Sequence, residues 1–428
     1  MKKTRFQLTR GFRDFYPEQM VVRQWLFEKM RAAARLFGYQ EYDGPVIEPL
    51  ALYAAKSGEE LVKKQTFILK DRSGQRLALR PELTPTLARM VAQKQGQLNI
   101  PLRWFSIGSR WRYEKPQKGR TREFYQWDVD LIGIDSPEAD AEVIAIAVEF
   151  LRSVGFSAKQ VVIKVNNRRF LEQKLNFIGI LKSKIRVVFS AIDKKDKMGS
   201  KNWKEYLKEI GLNELQIEDL QGILKDNDFS GESDELTNLF STLKDLGVAD
   251  YVEFDPAVVR GLDYYTGTVF EARDRGDEFR AILGGGRYDN LVEVVGGQKM
   301  SGVGFACGDV VIEEVLKNFS LWPNLNPTST KVLVTVFDEL LYRGSLKFVS
   351  RLRKAGIATE IYLVPAKLDK QLKYADKKGI TWVVVLGPEE IANKTVALKN
   401  LKTGRQETIS QDQAIKKLAR LSCGKIGL

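Results

Sequence analysis

"LRWFSIGSRWRYEKPQKGRTREFYQWDVDLIG", Leu102 to Gly133, reads as two strands joined by a basic loop. In the second strand Phe124, Gln126, Asp128 and Asp130 alternate with Tyr125, Trp127, Val129 and Leu131, so the two sets point to opposite faces. In the first, Arg110, Arg112 and Glu114 share one face and Trp111 and Tyr113 take the other. Such an antiparallel pair, aromatic behind and charged in front, can be a plain half-solvated sheet. The connection argues for more. "KPQKGRTR" places four cations in eight positions, which favours phosphate or nucleic acid. Arginines on a rigid sheet can grip a carboxylate and a phosphate together.

Outward from this hairpin, the pattern changes three times. "DFYPEQMVVRQWLFEKMRAAARLFGY" predicts a first helix with Pro17 in its first turn and Gly38 as a stop. "YQEYDGPVIEP" reads as a strand broken at Pro45, and "TFILKDRSGQRLALRPE" as a hairpin around Ser73-Gly74. "LTPTLARMVAQKQG" opens a helix, and "SPEADAEVIAIAVEFLRSVG" is a capped helix with acids in its first turn. From about 166 to 247 the chain is Lys-rich and helical, with "IRVVFS" as its main strand signal, and reads as an insertion. Strands return in "YVEFDPAVVRGLDYYTGTVFEARD" and "EFRAILGGGRYDNLVEVVGG". These runs of strands predict an antiparallel sheet flanked by helices, an α+β first domain over 1–325. After the Pro/Asn/Ser/Thr linker Ser320–Thr330, strands alternate with helices, which predicts an α/β domain over 326–428 with a small parallel or mixed sheet.

Composition narrows the chemistry. The 428 residues contain no histidine, which excludes Ser/His nucleophiles, HExxH proteases and most zinc enzymes. There is no GxxxxGK[ST] phosphate loop. Two cysteines, Cys307 and Cys423, cannot form a metal cluster by themselves. The start, "MKKTRFQLTRGFRDFYPEQM", lacks a hydrophobic signal region and no apolar run reaches membrane-spanning length, so a cytoplasmic protein without membrane attachment is expected. Residues 331–428 hold 19 Lys/Arg against 9 Asp/Glu, a net +10, which leaves 49 against 46 for the rest. A near-neutral body with a basic end suggests a polyanion docked there, against the plainer reading of a solvated lysine-rich surface.

Two further stretches carry candidate groups. In "ALRPELTPTLARM", Glu82 and Thr84 stand two apart before a helix; they suit either a helix start or an amino acid's ammonium group. In "RGLDYYTGTVFEARD" and "GGGRYDNLVE", Arg260, Tyr265 and Tyr288 can form a polar-aromatic pocket with a cation at its mouth. The glycines allow close backbone approach, or merely a tight turn.

Together "RGLDYYTGTVFEA", "GGGRYDNLV", "LRPELTPTLARM" and the basic hairpin resemble the histidyl-tRNA synthetases, a family of class II aminoacyl-tRNA synthetases, over nearly the whole chain. The resemblance implies a class II catalytic domain, a C-terminal α/β anticodon-binding domain, and a homodimer with the "GYQEYDGPVIEP" region at its interface. It implies L-histidine, ATP with Mg2+, and tRNA(His) as partners, with no protein metal cage. Position by position, Glu82, Thr84 and Gln126 would hold the α-amino group, and Asp130 and Tyr265 the imidazole, with Tyr288 closing the pocket. Arg112 would contact the α-phosphate. Glu114, Arg120 and Phe124 would serve the adenine and outer phosphates. Arg260 would sit at the reacting carboxylate and α-phosphate, sharing the catalytic work with Arg112. Gln117 and Lys118 would meet tRNA, and the insertion its acceptor end.

The chain departs from the family's pattern in two places. Asp130 is shorter than the glutamate many members carry. After "GVGFACG", Val311 stands where the family's third motif carries a phosphate-binding arginine. Arg120, helped by Arg122, is expected to carry that load. Asp309 is expected to hold a metal or a positioning cation, or to cap the following helix. Two other readings of the pattern are a histidine-sensing regulatory subunit of ATP phosphoribosyltransferase, which lacks the C-terminal domain, and a non-catalytic tRNA-binding paralogue.

Overall fold

A computed structural model describes residues 6–54, 65–260 and 264–423. Gly261, Leu262 and Asp263 of the "RGLDYY" stretch lie outside the described residues. The strands are β1 (Gln40–Glu41), β2 (Ile47–Pro49), β3 (Ile68–Lys70), β4 (Arg76–Leu79), β5 (Leu102–Trp111), β6 (Glu123–Ile132), β7 (Val161–Asn167) and β8 (Val252–Phe254). There follow β9 (Thr268–Asp274), β10 (Leu283–Tyr288), β11 (Gly302–Gly308), β12 (Val332–Val334), β13 (Thr359–Ile361), β14 (Trp382–Val385), β15 (Thr395–Asn400) and β16 (Gln406–Ser410). The first helices are α1 (Pro17–Leu36), α2 (Leu50–Ala54), α3 (Thr84–Lys94), α4 (Pro137–Ser153), α5 (Arg168–Phe177) and α6 (Lys182–Asp193). The chain divides into two compact units, Met1–Asp14 with Trp25–Trp322, and Phe15–Gln24 with Pro323–Leu428.

The larger unit is built on an eight-stranded sheet in the order β1-β5-β6-β11-β10-β9-β7-β8. Its central pairings are antiparallel, while β1–β5 and β7–β8 at the two edges are parallel. The period-2 pattern of the opening hairpin sorts its faces as expected: Trp127, Val129 and Leu131 enter the main core, where α4 covers them. That helix begins where the sequence signals it, with the Ser136 side chain accepting from the Ala139 amide and Pro137 in the first turn. Its Ile144, Val148 and Leu151 are wholly buried, so it is apolar nearly all round because sheet and helices enclose it.

Three local readings change. "YQEYDGPVIEP" supplies two strands to two different sheets, β1 on the large one and β2 in a three-stranded sheet of order β2-β4-β3. Pro45 lies between them and contributes no ladder donor, which suits a crossing from one sheet to another. "IRVVFS" is not a strand: it lies inside α6, where Ile185, Val188, Phe189 and Ile192 follow helical spacing and pack in the helical module's own core. The "RGLDYY" segment precedes its strand, which starts only at Thr268.

The smaller unit carries a mixed sheet, β13-β12-β14-β15-β16, parallel among the first three strands and antiparallel thereafter. Its helices include Glu339–Lys354, Leu368–Lys377 and Gln411–Cys423, and its core gathers Val332, Val334, Phe348, Leu352, Val384 and Leu398. Among the described residues no helix is long and apolar enough to cross a membrane.

Candidate active site

The front face of the large sheet forms a cleft of about 490 Å3, within the usual range for small-ligand sites. Eleven residues singled out in the sequence line it together: Glu82, Thr84, Arg112, Glu114, Arg120, Phe124, Gln126, Asp130, Arg260, Tyr265 and Tyr288. They come from the start of α3, the β5–β6 hairpin, the approach to β9, and β10. Gln117 and Lys118 lie outside the cleft, on the exposed loop, where the Lys118 ammonium sits 4.9 Å from the centre of the Phe279 ring.

Glycines make the room. In the β6–β11 register Gly304 stands opposite Asp130, and a Cβ there would fall 2.3 Å from the Asp130 carboxylate. A Cβ at Gly284 on β10 would fall 2.3 Å from the Arg260 guanidinium carbon. Each glycine is thus a recess into which a polar side chain of the site lies.

At the floor, the Tyr288 hydroxyl donates to Asp130 Oδ1 at 2.5 Å. Burial pushes Asp130 up to about 8; the Tyr288 bond and Arg110 oppose the shift, and neighbouring Asp128 adds to it. Burial also raises Tyr264, Tyr265 and Tyr288 above the ordinary phenol, so all three stand as neutral donors. Glu82 is nearly buried, and Thr84 is hydrogen-bonded to Tyr264. The Gln126 side-chain oxygen is buried without a hydrogen-bond partner. Glu82, Thr84 and Gln126 therefore offer acceptors to a cation in the same cleft as Asp130.

Arg260 adopts a left-handed backbone, φ +54°, uncommon for a residue with a Cβ. Its guanidinium pairs with Glu271 on β9 at 2.9 Å, and Arg273 pairs with the other Glu271 oxygen at 2.5 Å. Burial works against the Arg260 charge, but Glu271 more than compensates and holds it above the ordinary arginine range. Its Nε is buried and unpartnered. Arg112 donates to the Pro81 carbonyl at 3.0 Å and stacks on Phe124, 5.1 Å from the ring centre. Glu114 pairs with Arg120 at 2.8 Å in the loop.

The structure fixes four side chains that the sequence left open or unread. Arg110 shares the cleft face with Phe124, its cross-strand partner, but it is wholly buried there and pairs with Asp128 at 2.6 Å. Arg122 is turned away, donating to the Glu114 carbonyl and stacking on Tyr113 at 4.3 Å. Asp309 holds a positioning cation, Arg13, at 2.7 Å and accepts from the Tyr125 amide at 2.9 Å, while Gly308 occupies the cap position. Arg287 of "GGGRYD" points away from the cleft and ties β10 to the start of α4 through Asp140 at 2.6 Å and the Ser136 carbonyl at 2.9 Å. The sequence reading missed Tyr264, whose ring packs on Tyr265 and Tyr288, and Asp193, the last residue of α6, which lines the cleft and acts electrostatically on Arg260. Tyr264 was legible as half of the tyrosine pair; Asp193 carried no local signal.

A largely antiparallel sheet presenting arginines, carboxylates and phenols in a cleft on one face, in a chain that also carries an α/β domain, has the form of a class II aminoacyl-tRNA synthetase. The sequence model of the histidyl-tRNA synthetase family matches residues 11–309, and that of the anticodon binding domain matches 331–421. The chain is 38% identical over 421 residues to the histidine–tRNA ligase of Leptospira biflexa, covering 96% of each. It is 38% identical over 415 residues to the chloroplastic/mitochondrial histidine–tRNA ligase of Arabidopsis thaliana, covering 95% of this chain and 85% of that one. The crystal structure of histidyl-tRNA synthetase from Nostoc sp. PCC 7120 superposes with a TM-score of 0.82 at 27% identity, covering 98% of this chain and all of the other. The chain belongs to the histidyl-tRNA synthetase family and is an enzyme of the aminoacyl-tRNA synthetase class.

Proposed function

We infer that the chain is a histidine–tRNA ligase, activating L-histidine with ATP and passing the acyl group to tRNA(His). Family membership over nearly the full length supports the activity. The convergence in one cleft of acceptors for an ammonium group, neutral phenols around a buried carboxyl, and Arg112 with Arg260 is the observation that carries the site assignment. Histidine's ammonium group goes to Glu82, Thr84 and Gln126, and its imidazole to Asp130 and Tyr265, with Tyr288 holding Asp130. The histidine carboxylate attacks the α-phosphorus, a new O–P bond forms, and the bond to pyrophosphate breaks. Arg112 and Arg260 lie on that charge as it develops. Phe124 and Glu114 serve the adenine, and Arg120 the outer phosphates. In the second step a terminal ribose hydroxyl of the tRNA attacks the acyl carbon and AMP leaves.

Three carboxylates in or beside the cleft are engaged with arginines: Glu114 with Arg120, Glu271 with Arg260 and Arg273, and Asp309 with Arg13. Among the described residues no cluster offers three metal-ligating side chains. Magnesium would come with the nucleotide phosphates, where it would supply charge neutralisation on the departing pyrophosphate. Residues 1–325 form the catalytic domain with its helical insertion at about 166–247, and 326–428 read the anticodon. Gln117 and Lys118 approach the tRNA. Exposed Val46, Ile47, Ile68 and Leu69 around β2 and β3 fit a homodimer contact. The protein acts in the cytoplasm. Histidine-dependent ATP–pyrophosphate exchange and charging of tRNA(His) test this function; exchange without charging, or neither, would overturn it and revive the regulatory or RNA-binding readings.

Asp130 gives the pocket a proton signature. With its carboxyl near 8, the free protein holds that proton at neutral pH. An imidazole N–H donated to the carboxylate favours the ionised form, so histidine binding expels the proton and affinity rises with pH up to about 8. Calorimetry at pH 7 in buffers of different ionisation enthalpy should show release of roughly one proton on binding. In Asp130→Asn most of that release should disappear. Proton uptake by the unmodified protein would contradict the assignment.

A further inference from the structure

An exposed cation, Arg280, stands beside the outer end of the cleft with no role yet assigned to it. Arg280 lies between β9 and β10, and the next residues, Ala281, Ile282 and Leu283, line the cleft. A Cβ placed on Gly119, at the tip of the basic loop, would meet three side chains: Arg280 Cδ at 3.5 Å, Glu314 Oε2 at 3.7 Å and Val311 Cγ2 at 3.7 Å. Val311, Arg280 and the loop tip therefore enclose one small volume beside the ion pair of Glu114 and Arg120.

The acids around the loop tip already have partners. The Glu114 carboxylate is held by Arg120 at 2.8 Å, and Glu314 accepts from the Gly119 amide at 3.1 Å. Arg280 forms no ion pair among the described residues; burial and then the nearby Arg120 charge disfavour its guanidinium, and the Glu114 charge opposes them only in part. Two arginines side by side, one of them without an ion-pair partner among the described residues, form an arrangement that an added anion stabilises. Helix Asp309–Asn318 contributes Val311 and Glu314 at this point and no cation, and Arg122 is committed to Tyr113 and the Glu114 carbonyl.

We propose that Arg280 binds the outer phosphates of ATP together with Arg120, occupying the electrostatic role that Val311 cannot fill. The proposal rests on the ligase reading and extends it to a specific residue. Arg280 takes no part in the histidine pocket, and its role ends when pyrophosphate leaves.

The test is Arg280→Ala in the full-length chain, assayed by histidine-dependent ATP–pyrophosphate exchange. Loss of one charge-assisted contact should raise the KM for ATP and for pyrophosphate by about ten- to a hundredfold. The KM for histidine should stay the same. So should the affinity for a sulfamoyl analogue of histidyl-adenylate, which has no outer phosphates. Val311→Arg added to Arg280→Ala should recover part of the ATP KM. Unchanged KM values for ATP and pyrophosphate would overturn the proposal, as would a parallel loss of analogue affinity, which marks a merely structural role. Absence of exchange in the unmodified protein would overturn the ligase reading and the proposal with it.

Discussion

Arg260→Gln is expected to slow histidine-dependent pyrophosphate exchange by about 10²- to 10³-fold, the usual cost of removing one preorganised donor from developing charge. Histidine affinity and thermal stability should stay close to those of the unmodified protein. The reason for the intact fold is local. Glu271 loses Arg260 but keeps Arg273 on its other oxygen at 2.5 Å, so no buried carboxylate is left alone. The left-handed backbone at 260 accommodates Gln no worse than Arg, since both are unbranched at Cβ. Rapid-quench measurement of adenylate formation, beside a thermal melt, separates the two expectations. Near-normal exchange in this variant would remove Arg260 from the chemistry.

Neighbouring glycines on β10 should fail in opposite ways. A methyl at Gly284 lies 2.3–2.4 Å from the Arg260 guanidinium atoms, the far end of a flexible side chain that can swing aside. Gly284→Ala should therefore fold, with Arg260 displaced by an ångström or more and activity reduced by about 10²-fold. A methyl at Gly285 instead meets the Gly304 carbonyl at 2.3 Å and the Phe305 Cβ at 2.6 Å, on the core side of the sheet. Backbone cannot yield so cheaply, and Gly285→Ala should lose about 1–3 kcal/mol or more of stability through overpacking. Urea titration and exchange kinetics on both variants check the contrast; equal stabilities would contradict this account of the strand.

Much of this was legible because burial imposes periodicity. The alternation of Trp127, Val129 and Leu131 with Gln126, Asp128 and Asp130 separates core from cleft before any coordinates are seen, and Ser136-Pro137 marks the start of α4. The residues that line the cleft follow from motifs at the same positions. What escaped were features set by distant partners. Arg110 and Arg287 look like solvated cations in the sequence, yet each is buried because Asp128 or Asp140 arrives from another strand or helix. The β-branched run in "IRVVFS" carries strand propensity, but the helical module needed an apolar stripe and tertiary packing prevailed. Asp193 reaches the cleft only because the module folds back toward β9.

The carboxylates beside the phosphate-binding arginines also govern how this site would register in an ionic-strength experiment. Before any nucleotide arrives, Glu114 occupies Arg120 and Glu271 occupies Arg260. Nucleotide binding is then a change of partners within a set of charges that is already largely neutral. Few ions need be expelled into solution, so a plot of log affinity for ATP against log salt should be shallower than the number of arginines suggests. Seen this way, the acids in the cleft are placeholders that keep the arginines extended and ready, and counting cations alone would overstate how strongly the empty site attracts anions in general.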